Sequence, residues 1–405
     1  MIKQTREYLR LVDSRGALPA LDGLRGIAIL LVVFYHAADS FRPDGVDLLG
    51  IGGFDLLAPL LSGWMGVNLF FVLSGFLITW HLIRNWRSEN VTAGDLKVYL
   101  TKRWLRIVPT YYVVLFIAAF ELTPNHPIDS QYLGLKIGYH LIFLQDYLPS
   151  SILGPFWSLA VEEKFYLLMP IIILVAWRLQ STRIRIGFFL GIALLPVVFR
   201  LAMWFSGADA PGSFVRVWRN PFHLNLDALF LGVAVAWLVS HWVARPRSLE
   251  FARMAMRLGA LVTIAVAVLP EIVSVPPFVD HVIMMPVVAL GMSACVLGAA
   301  MAPAGTFGAL ESLWLARAGK LAYPWYLSHI LVMWWIWEDL REAFPRLAEL
   351  TPGAQFFIFM PIYLGASIAA ALVLHFLVEK PCLLLKDSIG RTRRVRKPTF
   401  TPQAA

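Results

Sequence analysis

The sequence predicts an all-α fold, a polytopic transmembrane helical bundle of about ten spanning helices. Composition, apolar runs of bilayer length and the placement of the cations carry that expectation. Of 405 residues, 59% are hydrophobic and 15% charged, and mean hydropathy is +0.67. So few charges cannot cover a soluble surface of this size. Apolar runs bounded by turn signals recur near 22–41, 63–83, 103–123, 155–177, 184–205, 222–242, 256–274, 281–302, 320–340 and 355–378, each close to the ~20 residues a spanning helix needs. The stretch 132–147, YLGLKIGYHLIFLQDY, is amphipathic and short. It reads as an interfacial or re-entrant helix, with an eleventh span left open.

Orientation follows from the cations. Of the 35 Lys and Arg residues, 27 fall in the N-terminal segment, in alternate loops and in the C-terminal tail. Such asymmetry marks cytoplasmic loops, so both termini are expected in the cytoplasm of a bacterial inner membrane, which agrees with an even helix count. The chain then divides into a cytoplasmic segment 1–20, a transmembrane domain 21–380 and a basic cytoplasmic tail 381–405, whose RTRRVRK suits anionic lipid. Topology thereby accounts for the net charge of +9, and no nucleic-acid partner is expected. The first twenty residues lack an apolar core and a cleavage site, so the first helix is expected to be an uncleaved anchor. Cys295 and Cys382 are too few for a disulfide framework or a Cys-based metal site; both are expected to be free thiols. No soluble domain is expected beside the bundle, and no internal repeat points to two transporter halves.

Chemistry starts in the first helix, LDGLRGIAILLVVFYH. At 100° per residue, His36 lies on the face of Arg25, roughly 16 Å farther along the axis. Ionisable groups inside a bilayer are costly and usually face a cavity or a partner; a snorkelling Arg and a hydrogen-bonded structural His are the plain alternative. The second helix, GVNLFFVLSGFLIT, carries Asn68. The third opens with TKRWLRIVPTYY, where Lys102, Arg103 and Arg106 gather beside Arg25. Guanidinium binds phosphate in a bidentate fork, although positive-inside bias also produces such clusters. The fourth, FWSLAVEEKFYLLMP, sets Ser158, Glu162 and Tyr166 on one polar face at i, i+4 and i+8, with Glu163 about 100° away. Depths counted from the membrane surfaces match Glu162 to His36, and a carboxylate beside an imidazole fixes its tautomer as a general base requires. His223 and Asp227 form an i, i+4 pair at the start of the sixth helix and read as acceptor-side residues. Tyr326 and His329 share a face of the ninth, GKLAYPWYLSHILVMWW. Walker A, HExxH and GxSxG motifs are absent.

Taken in order, R-x10-H, GVNLFFVLSGFLIT, KRWLRIVP, FWSLAVEEKFYL and GKLAYPWYLSH resemble the membrane-bound acyltransferase 3 family. That resemblance implies an acyl-CoA donor on the cytoplasmic side, usually acetyl-CoA, and transfer to a hydroxyl of a carbohydrate or other glycosylated product, with no bound cofactor. It also implies that Arg25, His36, Arg103, Arg106, Glu162 and His329 matter. Trp157 of the fourth motif joins Asn68, Ser158, Tyr166, His223, Asp227, Tyr326 and His329 as acceptor-side or supporting residues. The sequence departs from the family at Asn68, where Asp is frequent, and at Ala322, where Ser is common. It also lacks the extracytoplasmic hydrolase-like domain that many relatives append.

The expected protein is therefore an integral-membrane O-acyltransferase with Arg25, Lys102, Arg103 and Arg106 on the donor, and His36 poised by Glu162 as base or transient acyl carrier. Two alternatives stand beside acylation of a cell-envelope carbohydrate. One is acylation of a small glycosylated molecule such as a macrolide; the other is a glycolipid flippase without chemistry.

Overall fold

The computed structural model describes residues 11, 18–41, 47–51, 54–86, 91–122, 131–148, 152–207, 215–242 and 249–389. Most of the N-terminal segment and the RTRRVRK tail lie outside the described residues.

Each expected span coincides with a long helix: α1 (Pro19–Phe41), α2 (Met65–Asn85), α3 (Ala93–Ala119), α5 (Trp157–Arg178), α6 (Thr182–Phe205), α7 (Leu226–Trp242), α8 (Leu249–Ile272), α9 (Met285–Met301), α10 (Leu313–Ala343) and α11 (Pro352–Leu374). Between α3 and α5 lies the short α4 (Leu133–Leu141), and α12 (Lys380–Ser388) follows α11 through one π turn. Two-residue strands, Gly50–Ile51 and Phe54–Asp55, pair antiparallel in the first connection. Six helical segments are long and apolar enough to cross a membrane: α1, α2 with the turn before it, α6, α8, α9 with the turn before it, and α11 with α12. The long helices outside that set, α3, α5 and α10, carry Arg103, Arg106, Glu162 and Lys320. Charged residues, these among others, lower the hydropathy of the three helices.

With nine residues, α4 rises only ~14 Å and cannot cross a bilayer as a helix. It docks on α3 instead, where Tyr111 and Tyr112 donate their hydroxyls to the His140 and Leu141 carbonyls at 3.2 and 2.8 Å. Start signals behave as their chemistry dictates. The Thr92 side chain and Asp95 form a reciprocal capping box that begins α3 ten residues before its apolar run, and Ser312 caps α10 through the Leu315 amide.

Helices in a membrane gain little hydrophobic drive from meeting one another, so close approach depends on small residues. The two pairs of helices around the site show it. A Cβ at Gly26 would strike the Leu315 carbonyl and one at Gly319 the Asp22 carbonyl, which brings α1 and α10 backbone to backbone. Gly75 and Gly232 do the same for α2 and α7. One consequence is that Arg25 of α1 and Lys320 of α10, each next to such a glycine, open into the same cavity.

Candidate active site

Two cavities lie on the Arg25–His36 face of α1, one at each end. The inner one, of about 340 Å³, is lined by Arg25, by Ser74 and His81 of α2, by Arg103 and Arg106 of α3, by Ser158, Glu162 and Tyr166 of α5, by Lys320, Tyr323 and Tyr326 of α10, and by Glu379. Five helices thus converge on a strongly cationic chamber. Glu162 supplies the balancing charge: its carboxylate accepts from Ser74 Oγ at 2.5 Å and from Tyr166 Oη at 2.9 Å. Arg103 lies over the Tyr99 and Tyr166 rings, 5.7 and 5.9 Å from their centroids, an arrangement that holds the guanidinium plane while leaving its N–H edge available.

The outer cavity, of about 250 Å³, is lined by Tyr35 and His36 of α1, Trp64, Gln145, Trp157, and Arg219 with Asn220. Val67 and Tyr326 line both cavities. Tyr326 is fixed there: its hydroxyl meets Ser158 Oγ at 2.6 Å and the Pro155 carbonyl at 2.9 Å. These two side chains are the wall that the cavities have in common.

His36 has a definite tautomer. Its Nδ1 lies 2.9 Å from the Val32 carbonyl, which can only accept, so Nδ1 carries the proton. His329 is set the same way, with Nδ1 2.7 Å from the Tyr326 carbonyl. That leaves His329 Nε2 as an acceptor, 3.4 Å from His36 Nδ1. His36 Nε2 is thereby left with a lone pair in a residue that lines the outer cavity.

Several sequence expectations need correction. Glu162 is not the partner of His36; it belongs to the inner chamber with the arginines, and His329 backs His36 instead. The depth count placed Glu162 too near His36: it sits at the Arg25 end of α1, and α5 turns its polar face toward α2 and α3. Nor do His223 and Asp227 face each other, because α7 begins at Leu226 and His223 sits in a preceding 3₁₀ turn. His223 meets the Tyr147 hydroxyl at 2.9 Å, while Asp227 accepts from Arg200 at 2.8 Å. Both residues, like Asn68 and Lys102, line neither cavity. Trp157, Ser158, Tyr166, Tyr326, Arg25, Arg103 and Arg106 do.

Sequence reasoning missed Ser74, Lys320, Tyr323 and Glu379 in the inner chamber, and Tyr35, Gln145, Arg219 and Asn220 in the outer one. Ser74, Lys320, Tyr323, Tyr35 and Gln145 lie inside stretches quoted above; Glu379, Arg219 and Asn220 lie outside all of them. Among the described residues, no group of three His, Cys, Asp or Glu side chains is gathered closely enough to hold a metal ion.

A family model described as an acyltransferase domain, that of the acyltransferase 3 family, matches residues 18–376. A peptidoglycan O-acetyltransferase of Listeria monocytogenes, OatA, is 29% identical over 222 residues, which cover 51% of this chain and 32% of that protein. A Staphylococcus aureus protein provisionally named an O-acetyltransferase is 26% identical over 234 residues, 55% of this chain and 35% of its own length. YrhL of Bacillus subtilis, provisionally named a peptidoglycan O-acetyltransferase, is 27% identical over 235 residues, 54% of this chain and 33% of its own length. The matched part is therefore about a third of these relatives. No solved structure matches the chain. With apolar helices of spanning length and a family match across most of its length, this is a multi-pass membrane protein that belongs to the acyltransferase 3 family.

Proposed function

We propose that the protein is an O-acetyltransferase that takes an acetyl group from cytoplasmic acetyl-CoA and places it on a hydroxyl of a cell-envelope carbohydrate outside the bacterial inner membrane. The observation that carries this reading is the pair of back-to-back cavities, one cationic and one holding an imidazole with a free Nε2 lone pair, sharing Val67 and Tyr326. Relatives named as peptidoglycan O-acetyltransferases favour acetyl and a cell-wall glycan over a small glycosylated molecule. A flippase has no need of a partition between its two chambers.

Arg25, Arg103 and Arg106 take the phosphates of the coenzyme, and the pantetheine arm runs along α1 toward Val67 and Tyr326. The ~16 Å from Arg25 to His36 is about the length of that arm. His36 Nε2 removes the acceptor hydroxyl proton, and the oxygen attacks the thioester carbon. The C–O bond forms, the C–S bond breaks, and the thiolate leaves into the inner chamber; His36 Nε2 then releases its proton to water at the outer cavity, and the thiolate takes one up from water on the donor side. The imidazolium is stabilised by Nδ1–H bonding to Val32 and His329. Transient acylation of His36 would use the same lone pair.

Arg106→Ala is expected to weaken coenzyme A binding at least tenfold in detergent, with Arg106→Lys restoring part of it, because an ammonium keeps the charge without the fork. Unchanged affinity of the Ala variant would reduce the cluster to a topology signal. The orientation is checked by cysteine labelling: a Cys at Asp129 should react in intact cells and one at Arg87 only after the membrane is opened. Both positions lie outside the described residues, and the reverse pattern overturns the proposed topology.

A further inference from the structure

We infer that the outer cavity is built for an anionic sugar, one whose carboxylate or phosphate sits against Arg219 while its hydroxyl reaches His36. The inference rests on the acetyl-transfer reading and names the acceptor class for that same site. Its observations are separate from those that support the donor end.

Other arginines inside the bundle, buried or half-buried, have a carboxylate close by. Arg200 bonds Asp227, and Arg25, Arg103 and Arg106 share their chamber with Glu162 and Glu379. Arg219 differs. Its guanidinium lies over the Trp64 ring, 4.4 Å from the centroid, and faces the Tyr35 hydroxyl. Asp280 is near enough to act on its charge, but among the described residues no carboxylate forms an ion pair with it. A guanidinium held by an aromatic face in a cavity, with no carboxylate bonded to it, is free to take an anion from outside the chain.

Two further groups in the same wall lack partners of the opposite kind. Gln145, 5% exposed, donates Nε2 to the Tyr111 hydroxyl at 3.1 Å and to the Phe156 carbonyl at 2.9 Å. A carbonyl only accepts, so the amide cannot be flipped, and Gln145 Oε1 is left buried without a donor. Asn220 Oδ1 is likewise buried and unpartnered. Buried polar atoms in folded proteins are nearly always paired, and both of these oxygens require N–H or O–H groups. Trp157 and Trp64 add flat apolar faces to the same cavity. A cation, two amide side chains and aromatic faces complement a molecule with one negative charge, several hydroxyl or amide hydrogens and a C–H face. That is a sugar acid or a sugar phosphate.

Binding is measured without any acyl donor, on the full chain in nanodiscs, by saturation-transfer NMR titration. One pair of probes is N-acetylmuramic acid and its methyl ester; a second is N-acetylglucosamine 1-phosphate and N-acetylglucosamine. The wild type is expected to bind the charged member of at least one pair ten times more tightly than the neutral one, and which pair responds tells carboxylate from phosphate. In Arg219→Gln the preference should fall below threefold, with Arg219→Lys keeping part of it, while unfolding temperature and coenzyme A affinity stay at wild-type values. Equal affinity within both pairs, binding of none of the four, or a preference that survives Arg219→Gln overturns the proposal. Because the donor is absent, failure of acetyl transfer leaves this measurement untouched. Conversely, a neutral acceptor that is acetylated normally refutes the anion preference and leaves the transferase reading intact.

Discussion

Replacing His36 by Ala is expected to abolish acetyl transfer, by a factor of about 10² to 10⁴ or more, while coenzyme A binding stays within twofold of wild type. The structure separates the two effects. His36 lines the outer cavity and the arginines line the inner one, so its removal takes away the lone pair at Nε2 and leaves the donor contacts in place. Loss of a group that acts in the chemical step lowers turnover, not ground-state binding. His329→Ala should cost less, since Val32 still holds the Nδ1 proton at 2.9 Å, and only the 3.4 Å contact is lost. Glu162→Gln should behave differently from both: its carboxylate is bound by Ser74 and Tyr166 among the arginines, so the change should appear mainly in donor affinity. Radiolabelled acetyl-CoA, proteoliposomes and a cell-wall acceptor measure all three. Wild-type turnover by a folded His36→Ala chain would falsify the mechanism.

The second large effect concerns stability. Arg200 and Asp227 are each 2% exposed and bond at 2.8 Å, and Arg200 Nη2 also donates to the Leu224 carbonyl at 2.6 Å. Asp227→Ala leaves a buried guanidinium without its counter-charge, a change that typically costs about 3 to 5 kcal/mol. The same substitution should leave the acceptor KM of surviving protein unchanged, because Asp227 lines neither cavity. Replacing both partners by Leu and Met should recover most of the loss, since apolar side chains of similar volume have no desolvation penalty. Unfolding in mixed detergent micelles gives the comparison. An Asp227→Ala protein as stable as wild type would show that the pair contributes nothing.

The helices were legible because apolar length and turn residues are local properties. All ten predicted runs coincide with helices, and even the short element at 133–141 carried its amphipathic signature. The cationic end of the site was legible too, since Arg103 and Arg106 lie on one helical face and Arg25 begins another. What failed was neighbourhood. Depth along two helices can be counted from sequence, but their rotation is set by packing, here by glycines that press α1 onto α10 and α2 onto α7. Pairing His36 with Glu162 therefore failed in height as well as direction: Glu162 lies in the chamber at the Arg25 end of α1, and His36 lines the other. His223 and Asp227 failed for another reason: the spacing rule for a helix was applied across residues where the helix had not begun. Arg219, Gln145 and Asn220 lie on connections, where no periodicity tells which way a side chain faces.

The partition at Val67 and Tyr326 also has an electrical meaning. If the two chambers open to opposite sides of the membrane, as the proposed function requires, their polar linings insulate poorly compared with lipid, and most of the membrane voltage falls across the side chains between them. An acetyl group is neutral and crosses without work against that field. On the proposed mechanism, the alkoxide charge that starts near His36 and ends as a thiolate in the inner chamber does not, and one elementary charge across a full 100 mV is worth about 2.3 kcal/mol. Unless a proton follows it through the partition, each turnover works against a cytoplasm-negative potential. The rate in energised vesicles then becomes a voltage measurement.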